Sequence, residues 1–134
     1  MMKVLLFVFD EKNSEYLPHN HIKNCVVYTR THDTPTVLGW ICRSDSNTLT
    51  RAMDYLGAPS IYTLGDYFIR GAFSSVADRA VISLQDWLKI GCGGRINTPG
   101  VSGKNWEWRI KDRELTKNLI EKILSYTKIY NRIP

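Results

Sequence analysis

Hydrophobic residues gather in three short runs that are separated by segments with helical spacing. Residues 3–9 read KVLLFVF, residues 25–29 read CVVYT and residues 79–84 read RAVISL. The first run is continuous rather than alternating, which is typical of a strand that is buried on both faces in a parallel sheet. The pattern therefore predicts three parallel strands at these positions.

Helical periodicity appears between and after these runs. Residues 46–57 and 63–75 predict two helices, and a third is expected to begin near Pro35 with Thr34 as its N-cap, because proline suits the first helical position. A last helix is predicted from Asp112 as N-cap. Its apolar stripe contains Leu115, Leu119, Ile120, Ile123 and Leu124. Strands that are separated by helices predict an α/β fold with right-handed parallel crossovers.

Length and composition indicate one ordered domain. The chain has 134 residues, of which 43% are hydrophobic, and this is enough to build a core. Its net charge of +5 would suit a polyanion, but the 18 basic residues are scattered and no nucleic-acid-binding motif accompanies them. We therefore do not expect a nucleic acid partner.

Cysteine spacing and the opening residues argue against several further classes of protein. The three cysteines are odd in number and lack CxxC spacing, so neither a disulfide framework nor a zinc site is indicated. The apolar opening at residues 3–9 is too short for a signal-peptide core or a membrane span. We expect no membrane partner and a cytoplasmic location, or a plastid location if the source is a plant.

His32 and Asp33 follow the second predicted strand directly. The carboxyl ends of parallel strands are where α/β barrels and open α/β sheets hold binding and catalytic groups. Spacing alone leaves two interpretations open: a functional pair, or an Asp33 that caps the next helix beside a His32 that fills a polar gap. A second candidate region is residues 91–106, which are rich in Gly, Asn and Pro and predict an irregular loop of functional length.

The blocks around these residues resemble a known family. VVYTRTHDT is similar to the strand-seven signature of the α-amylase clan, and VVYTRTHDTPTVLGW resembles the 4-α-glucanotransferases, which are also called amylomaltases or disproportionating enzymes. The segments MKVLLFVFD and YLPHN before this block, and SLQDWL, GRINTPG and NWEWR after it, agree with the family in order. The resemblance covers nearly the whole chain.

The resemblance implies a reaction and roles for three residues. Amylomaltases cleave an α-1,4-glucan, hold the glycosyl part covalently and pass it to another glucan with retention, which needs two carboxyl groups roughly 5 Å apart. Asp33 matches a third carboxylate, which stabilises the transition state, while His32 and Asn97 match residues that bind the sugar. Arg95 is expected to organise its loop. The family needs no cofactor and no metal, and its substrates are α-1,4-glucans (maltodextrins).

The family's nucleophile lies in an IDH segment and its acid/base in an EDLG segment, and neither segment occurs in this chain. The resemblance therefore implies a partial (β/α)8 TIM barrel, about its last three β/α units and a C-terminal helix. Residues 1–134 would form the C-terminal portion of the catalytic barrel, because a full barrel needs about 250 residues. The implied partners are the missing N-terminal part of the same barrel or a second copy.

Three positions depart from the family's TGTHDNDT segment: Arg30, Thr34 and Pro35 stand where Gly, Asn and Asp are usual. Arg30 would bring a bulky cation beside the sugar site. The departures and the missing carboxylates support an alternative function, an inactive glucan-binding or regulatory module. The basic charge alone supports a third hypothesis, nucleic-acid binding.

Other polar and aromatic residues favour structural roles. Gln85 and Asp86 could face substrate or cap the short QDWLK turn, and the structural role is favoured. Core packing is likewise favoured for Trp106 and Trp108, although one of them could stack on a sugar. His19 and His21 are not supported as metal ligands, since no carboxylate or cysteine cluster accompanies them.

Overall fold

A computed structural model describes residues 1–9 and 14–133. Its centre is a sheet of three parallel strands, β1 (Met2–Val4), β2 (Val26–Tyr28) and β3 (Arg79–Val81), in the order β1-β2-β3. Val27 of the central strand pairs with Lys3 on one side and with Ala80 on the other. The predicted α/β class, the three strands and their parallel pairing are confirmed.

All three strands are shorter than the predicted ranges, and the two outer ones are shortened most. The run at 3–9 leaves the sheet after Val4 and continues as a 3-10 turn at Leu5–Phe7, although the amide of Leu6 still donates to the carbonyl of Thr29 at 3.2 Å. Leu5 and Leu6 are buried at 1% and 2% exposure. The continuous apolar run therefore indicates that its residues are buried, but it does not indicate how long the strand is. The run at 79–84 likewise ends its strand at Val81.

Five α-helices occur in the described part of the chain, and the first three of them cover one face of this sheet. They are α1 (Val37–Arg43), α2 (Ser46–Leu56), α3 (Leu64–Ser74), α4 (Leu84–Trp87) and α5 (Lys117–Ile129), with further 3-10 turns at Pro18–Asn20, Cys92–Gly94 and Asp112–Glu114. The helices predicted at 46–57 and 63–75 are confirmed. None of the helices in the described part of the chain combines the length and the apolar character that crossing a membrane requires.

Two predicted helix starts are wrong. Thr36, not Thr34, caps α1, and its hydroxyl oxygen accepts from the amide of Gly39 at 3.0 Å. Asp112 begins a separate 3-10 turn, and α5 has Thr116 as its N-cap, where the hydroxyl accepts from the amide of Leu119. A threonine closer to the first helical amides satisfies them better than the residue that the sequence pattern favoured.

The apolar stripe predicted for the last helix is mostly exposed. Leu119 is buried, but Leu115, Ile120 and Leu124 are between 47% and 58% exposed. The buried face of α5 contains Leu119 and Tyr126, and it packs against Phe73 of α3 and Trp87 of α4. A helix of this length permits more than one apolar stripe, and only the neighbouring elements decide which of them is covered.

The main core lies between the sheet and α1 to α3. Phe68 of α3 is fully buried and makes edge-to-face contacts with Phe9 at 5.6 Å and with Trp40 at 5.3 Å between ring centroids. Val27 of β2 belongs to the same cluster. The opposite face of the sheet borders an open cavity of about 850 Å³, where Met2, Tyr28 and Val81 are exposed or half-buried.

His21 is a buried titratable group between the Pro18–Asn20 turn and β2. Its Nε2 lies 2.7 Å from the carbonyl oxygen of Tyr16 and its Nδ1 lies 2.6 Å from the hydroxyl of Ser75. Since a carbonyl only accepts, Nε2 carries the proton and Nδ1 accepts from Ser75. Burial lowers the pKa of His21, against the opposing effect of the Tyr16 carbonyl. His19 contacts the hydroxyl of Tyr55 instead.

We predict that the free energy of unfolding falls as the pH drops below about 6.5, the ordinary pKa of histidine. The pKa of His21 is lower in the folded protein, so the unfolded chain takes up its proton first, and acid then favours unfolding until the folded protein is also protonated. Urea titrations between pH 7.5 and 5 measure this slope. The variant His21→Gln should have a flatter profile, and an identical slope in both proteins would contradict the assignment.

Candidate functional site

The turn between β2 and α1, residues 29–36, is held by its own side chains and is called here the His-Asp turn. Thr34 donates its hydroxyl to the carbonyl of Thr31 at 3.0 Å and accepts from the amide of Thr31 at 3.1 Å. Threonine hydroxyls often close turns in this way. The closed turn lies beyond the carboxyl end of β2 and leaves His32 and Asp33 about half exposed at its tip.

Asp33 is bound by a neighbouring loop and does not cap a helix. Its Oδ1 accepts from Nδ2 of Asn97 at 2.6 Å, and its Oδ2 lies 3.3 Å from Nε2 of His32. Because Thr36 caps α1, the capping interpretation of Asp33 is wrong. The structure thus brings together all three residues that the sequence singled out, although Asn97 is 64 positions away from Asp33.

Asn97 belongs to residues 91–106, the irregular loop that the sequence predicted and that is called here the glycine-rich loop. Arg95 donates from Nη2 to the carbonyl of Asp33 at 2.6 Å and from Nε to the carbonyl of Asn97 at 2.9 Å. The amide of Asn97 also donates to the carbonyl of His32 at 3.0 Å. Arg95 therefore organises the loop, as expected, and joins it to the His-Asp turn.

Trp106 is a site residue that sequence reasoning placed in the core. Its side chain is 57% exposed, and its ring lies over the ring of His32 with centroids 5.0 Å apart. The amide of Trp106 donates to the carbonyl of Ile96 at 2.7 Å, and its φ of 64° lies in the left-handed region, which large side chains seldom adopt. Only the return of the glycine-rich loop onto the turn brings this ring to His32, and no local sequence signal marks it.

Arg30 lies beneath the turn, and although its side chain is buried it also lines the cavity beside His32 and Asp33. Its side chain is 1% exposed, and its Nε donates to the hydroxyl of Ser83 at 3.0 Å while Nη1 donates to the carbonyl of Thr31 at 3.1 Å. In the described part of the chain, Nη2 of Arg30 is the one buried side-chain polar atom without a hydrogen-bond partner. The cation therefore lies beside the candidate site, as expected from the sequence, but packing keeps it out of solvent.

Asp86 is the counter-ion of Arg30. Its Oδ1 lies 3.7 Å from Nε of Arg30 and accepts from the amide of Val37 at 2.9 Å, while its Oδ2 accepts from the hydroxyl of Thr29 at 2.7 Å. Burial raises the pKa of the Asp86 carboxyl, and the contacts with Thr29, Val37 and Arg30 oppose this effect. Burial also lowers the pKa of Arg30, which nevertheless keeps its charge.

The cavity beside the turn is the place where these groups meet solvent. Asp33 carries the only carboxylate among the described residues that line it, and His32, Gln85 and Ser83 contribute further polar groups. A carboxylate and an imidazole that line the cavity, with an exposed indole packed on the imidazole, can bind hydroxyl groups and the apolar face of a sugar. No group of three or more metal-ligating side chains occurs within residues 1–9 and 14–133.

The family model described as 4-alpha-glucanotransferase matches residues 1–116. Because this match covers most of the chain, the chain belongs to the 4-alpha-glucanotransferase family. The family that the sequence motifs suggested is therefore confirmed.

Individual relatives agree with this assignment. A 4-alpha-glucanotransferase of Clostridium butyricum is 42% identical and aligns with 98% of this chain but only 27% of the relative, and the chloroplastic/amyloplastic enzyme of Arabidopsis thaliana is 37% identical over 98% and 24%. Amylomaltase from Streptococcus agalactiae in complex with acarbose superposes with a TM-score of 0.91 at 29% identity, over 97% of this chain and 27% of that one. The chain spans about a quarter of the length of these relatives.

We predict that Arg30→Met lowers the free energy of unfolding by about 3 kcal/mol at neutral pH, since it leaves the buried carboxylate of Asp86 without its counter-ion. The loss should shrink as the pH falls, because the raised pKa of Asp86 lets the carboxyl take up a proton early. Urea titrations at pH 7.5 and 4.5 measure both effects. The control is Arg43→Met on the exposed end of α1, and equal losses in the two variants would contradict the buried pair.

Proposed function

We propose that this chain is the C-terminal portion of a 4-α-glucanotransferase, an enzyme that transfers α-1,4-glucan segments between maltodextrins with retention. The observation that carries the proposal is the contact of Asp33 with both His32 and Asn97, beside the cavity that His32 and Asp33 line, in a chain of this family. The names of the relatives support the reaction, and their greater length supports the view that the chain is one part of the enzyme.

The sheet supports a place in a (β/α)8 barrel, with residues 1–134 as about the last three β/α units of the catalytic barrel and a C-terminal helix. Only one face of the sheet is covered by helices, and β1 and β3 each have a single strand neighbour in the described part of the chain. A closed barrel would pair both outer strands and enclose the open face. The partner that fits is the missing N-terminal part of the barrel, or failing that a second copy of the chain.

In the proposed mechanism Asp33 is a transition-state stabiliser and His32 and Asn97 bind the sugar. As the glycosidic bond breaks, the sugar ring acquires oxocarbenium character and its hydroxyls become more acidic. A carboxylate that accepts a hydrogen bond from such a hydroxyl binds the transition state more tightly than the ground state. The bond from Asn97 holds Oδ1 of Asp33, so Oδ2, which lies 3.3 Å from Nε2 of His32, is the oxygen that would accept from the sugar beside His32.

The nucleophile and the acid/base are proposed to lie outside this chain. Retaining transfer needs both groups, roughly 5 Å apart on either side of the anomeric carbon, whereas Asp33 is the only carboxylate among the described residues lining the cavity. The same observation supports the alternative function, a catalytically inactive glucan-binding or regulatory module. The proposed location is the cytoplasm, or a plastid for a plant chain, which the names of the plant relatives support.

We predict that Asp33→Asn, in a whole enzyme that carries this segment, lowers kcat at least a hundredfold and changes KM by less than tenfold. The amide keeps the shape of the side chain and can still accept from Asn97. It lacks the negative charge of the carboxylate, which stabilises the positive charge that develops on the sugar ring. Disproportionation of maltotriose measures both parameters. Asp54→Asn on the exposed side of α2 is the matched control. If kcat and KM of Asp33→Asn stay within threefold of the unsubstituted enzyme, an effect under about 1 kcal/mol, the proposed role of Asp33 is wrong.

We also predict that the 134-residue chain has no glucan-transfer activity by itself. Purified chain is incubated with maltotriose, and glucose and longer maltodextrins are measured against a heat-killed control. Addition of a separately produced N-terminal part of the same enzyme should restore activity, because it supplies the two missing carboxyl groups and closes the barrel. Transfer by the chain alone would contradict the proposal, while glucan binding without restored transfer would favour the inactive module.

A further inference from the structure

Two adjacent residues of α4, Gln85 and Asp86, each contact a different loop of the candidate site. Both side chains are buried, at 3% and 7% exposure, and neither caps the short QDWLK turn to which the sequence assigned them. Helix α4 has a single turn and follows the third strand. The short helix therefore fixes the backbone positions of these two residues, and their side chains extend from there to the loops above the sheet.

Asp86 holds both ends of the His-Asp turn. Its two oxygens accept from the hydroxyl of Thr29, at the end of β2, and from the amide of Val37, at the start of α1. The residues between these two points include His32 and Asp33. A carboxylate that bridges the entry and exit of a turn fixes the separation of its ends, and so restricts where the tip can lie.

Gln85 holds the glycine-rich loop. Its Nε2 donates to the carbonyl of Gly94 at 3.1 Å, and its Oε1 accepts from the hydroxyl of Ser83 at 2.9 Å, which orients the amide group. Gly94 directly precedes Arg95, which joins Asn97 to the turn. The loop also approaches closely here, since a Cβ on Gly94 would lie 3.1 Å from Cγ2 of Thr36 and 3.2 Å from Cγ of Gln85.

We infer that Gln85 and Asp86 are positioning residues, which hold the two loops so that Nδ2 of Asn97 meets Oδ1 of Asp33. The inference rests on the proposed function, because the contact matters for catalysis only if Asp33 acts on the sugar. It gives these two buried residues a role through the loops that they hold, although Gln85 also lines the cavity. The hydrogen bond between Asn97 and Asp33 is 2.6 Å long and spans two loops, so a shift of either loop would break it.

The test uses a whole enzyme that carries this segment, assayed by disproportionation of maltotriose. Gln85→Met keeps the length of the side chain and removes the bond to Gly94, and we expect kcat to fall at least tenfold while KM changes by less than threefold. Asn97→Ala should lower kcat by a similar factor. The double variant should be no more than threefold slower than the poorer single variant, because both changes break the same contact.

A second pair of variants tests Asp86 without leaving a buried charge unpaired. Thr29→Val has the same shape as threonine and lacks the hydroxyl that Asp86 accepts from, so kcat should fall at least fivefold. Thr29→Ser keeps the hydroxyl and should stay within twofold of the unsubstituted enzyme. These two Thr29 variants test the inference even if Gln85→Met does not fold. Asp45→Ala, which removes the N-cap of α2, controls for loss of stability alone and should leave kcat within twofold.

Two results would overturn the inference: kcat of Gln85→Met and Thr29→Val within threefold of the unsubstituted enzyme, or independent, multiplying effects of Gln85→Met and Asn97→Ala. The second result would mean that Gln85 acts on general stability rather than through Asn97. Failure of the proposed function is a separate outcome, since Asp33→Asn would then leave kcat unchanged.

Discussion

The arrangement of the site depends on the contacts of the buried Asp86 carboxylate. It accepts hydrogen bonds from the hydroxyl of Thr29, just after the central strand, and from the amide of Val37, the first residue of α1. It also faces the guanidinium of Arg30. Taking a carboxylate out of water is costly, and the cost is tolerable only when its oxygens are occupied and a counter-ion is near. Asp86 satisfies both conditions, and in doing so it joins strand, turn and helix into one unit.

The two faces of the sheet differ in a way that agrees with the family and with the length of the relatives. Aromatic and aliphatic side chains of α1 to α3 fill one face, with Phe68 at its centre. The other face borders a cavity of about 850 Å³ that Met2 and Val81 line from the outer strands. Apolar side chains exposed along a sheet face and its edges are a stable arrangement only when something covers them.

The Arg30 substitution has a different meaning in three dimensions than in the sequence. A guanidinium where the family usually has glycine looks like an obstruction, because the residue stands two positions before His32. Its side chain instead turns under the loop, where Ser83 and the carbonyl of Thr31 accept its hydrogen bonds. The cation thereby stabilises the backbone of the turn that presents His32 and Asp33, and it borders the cavity without being exposed to solvent.

The sequence by itself determined the family, the α/β class, the three parallel strands and the place of His32 and Asp33 after the second of them. These features follow from local patterns: apolar runs, turn residues and motif blocks in a given order. Contacts between distant segments decided the rest. Thr36 rather than Thr34 caps α1, and Trp106 packs on His32 rather than in the core. Gln85 and Asp86 contact two loops instead of capping their own turn. Each of these outcomes depends on which partner lies within contact distance after packing, and spacing along one chain carries no such distance.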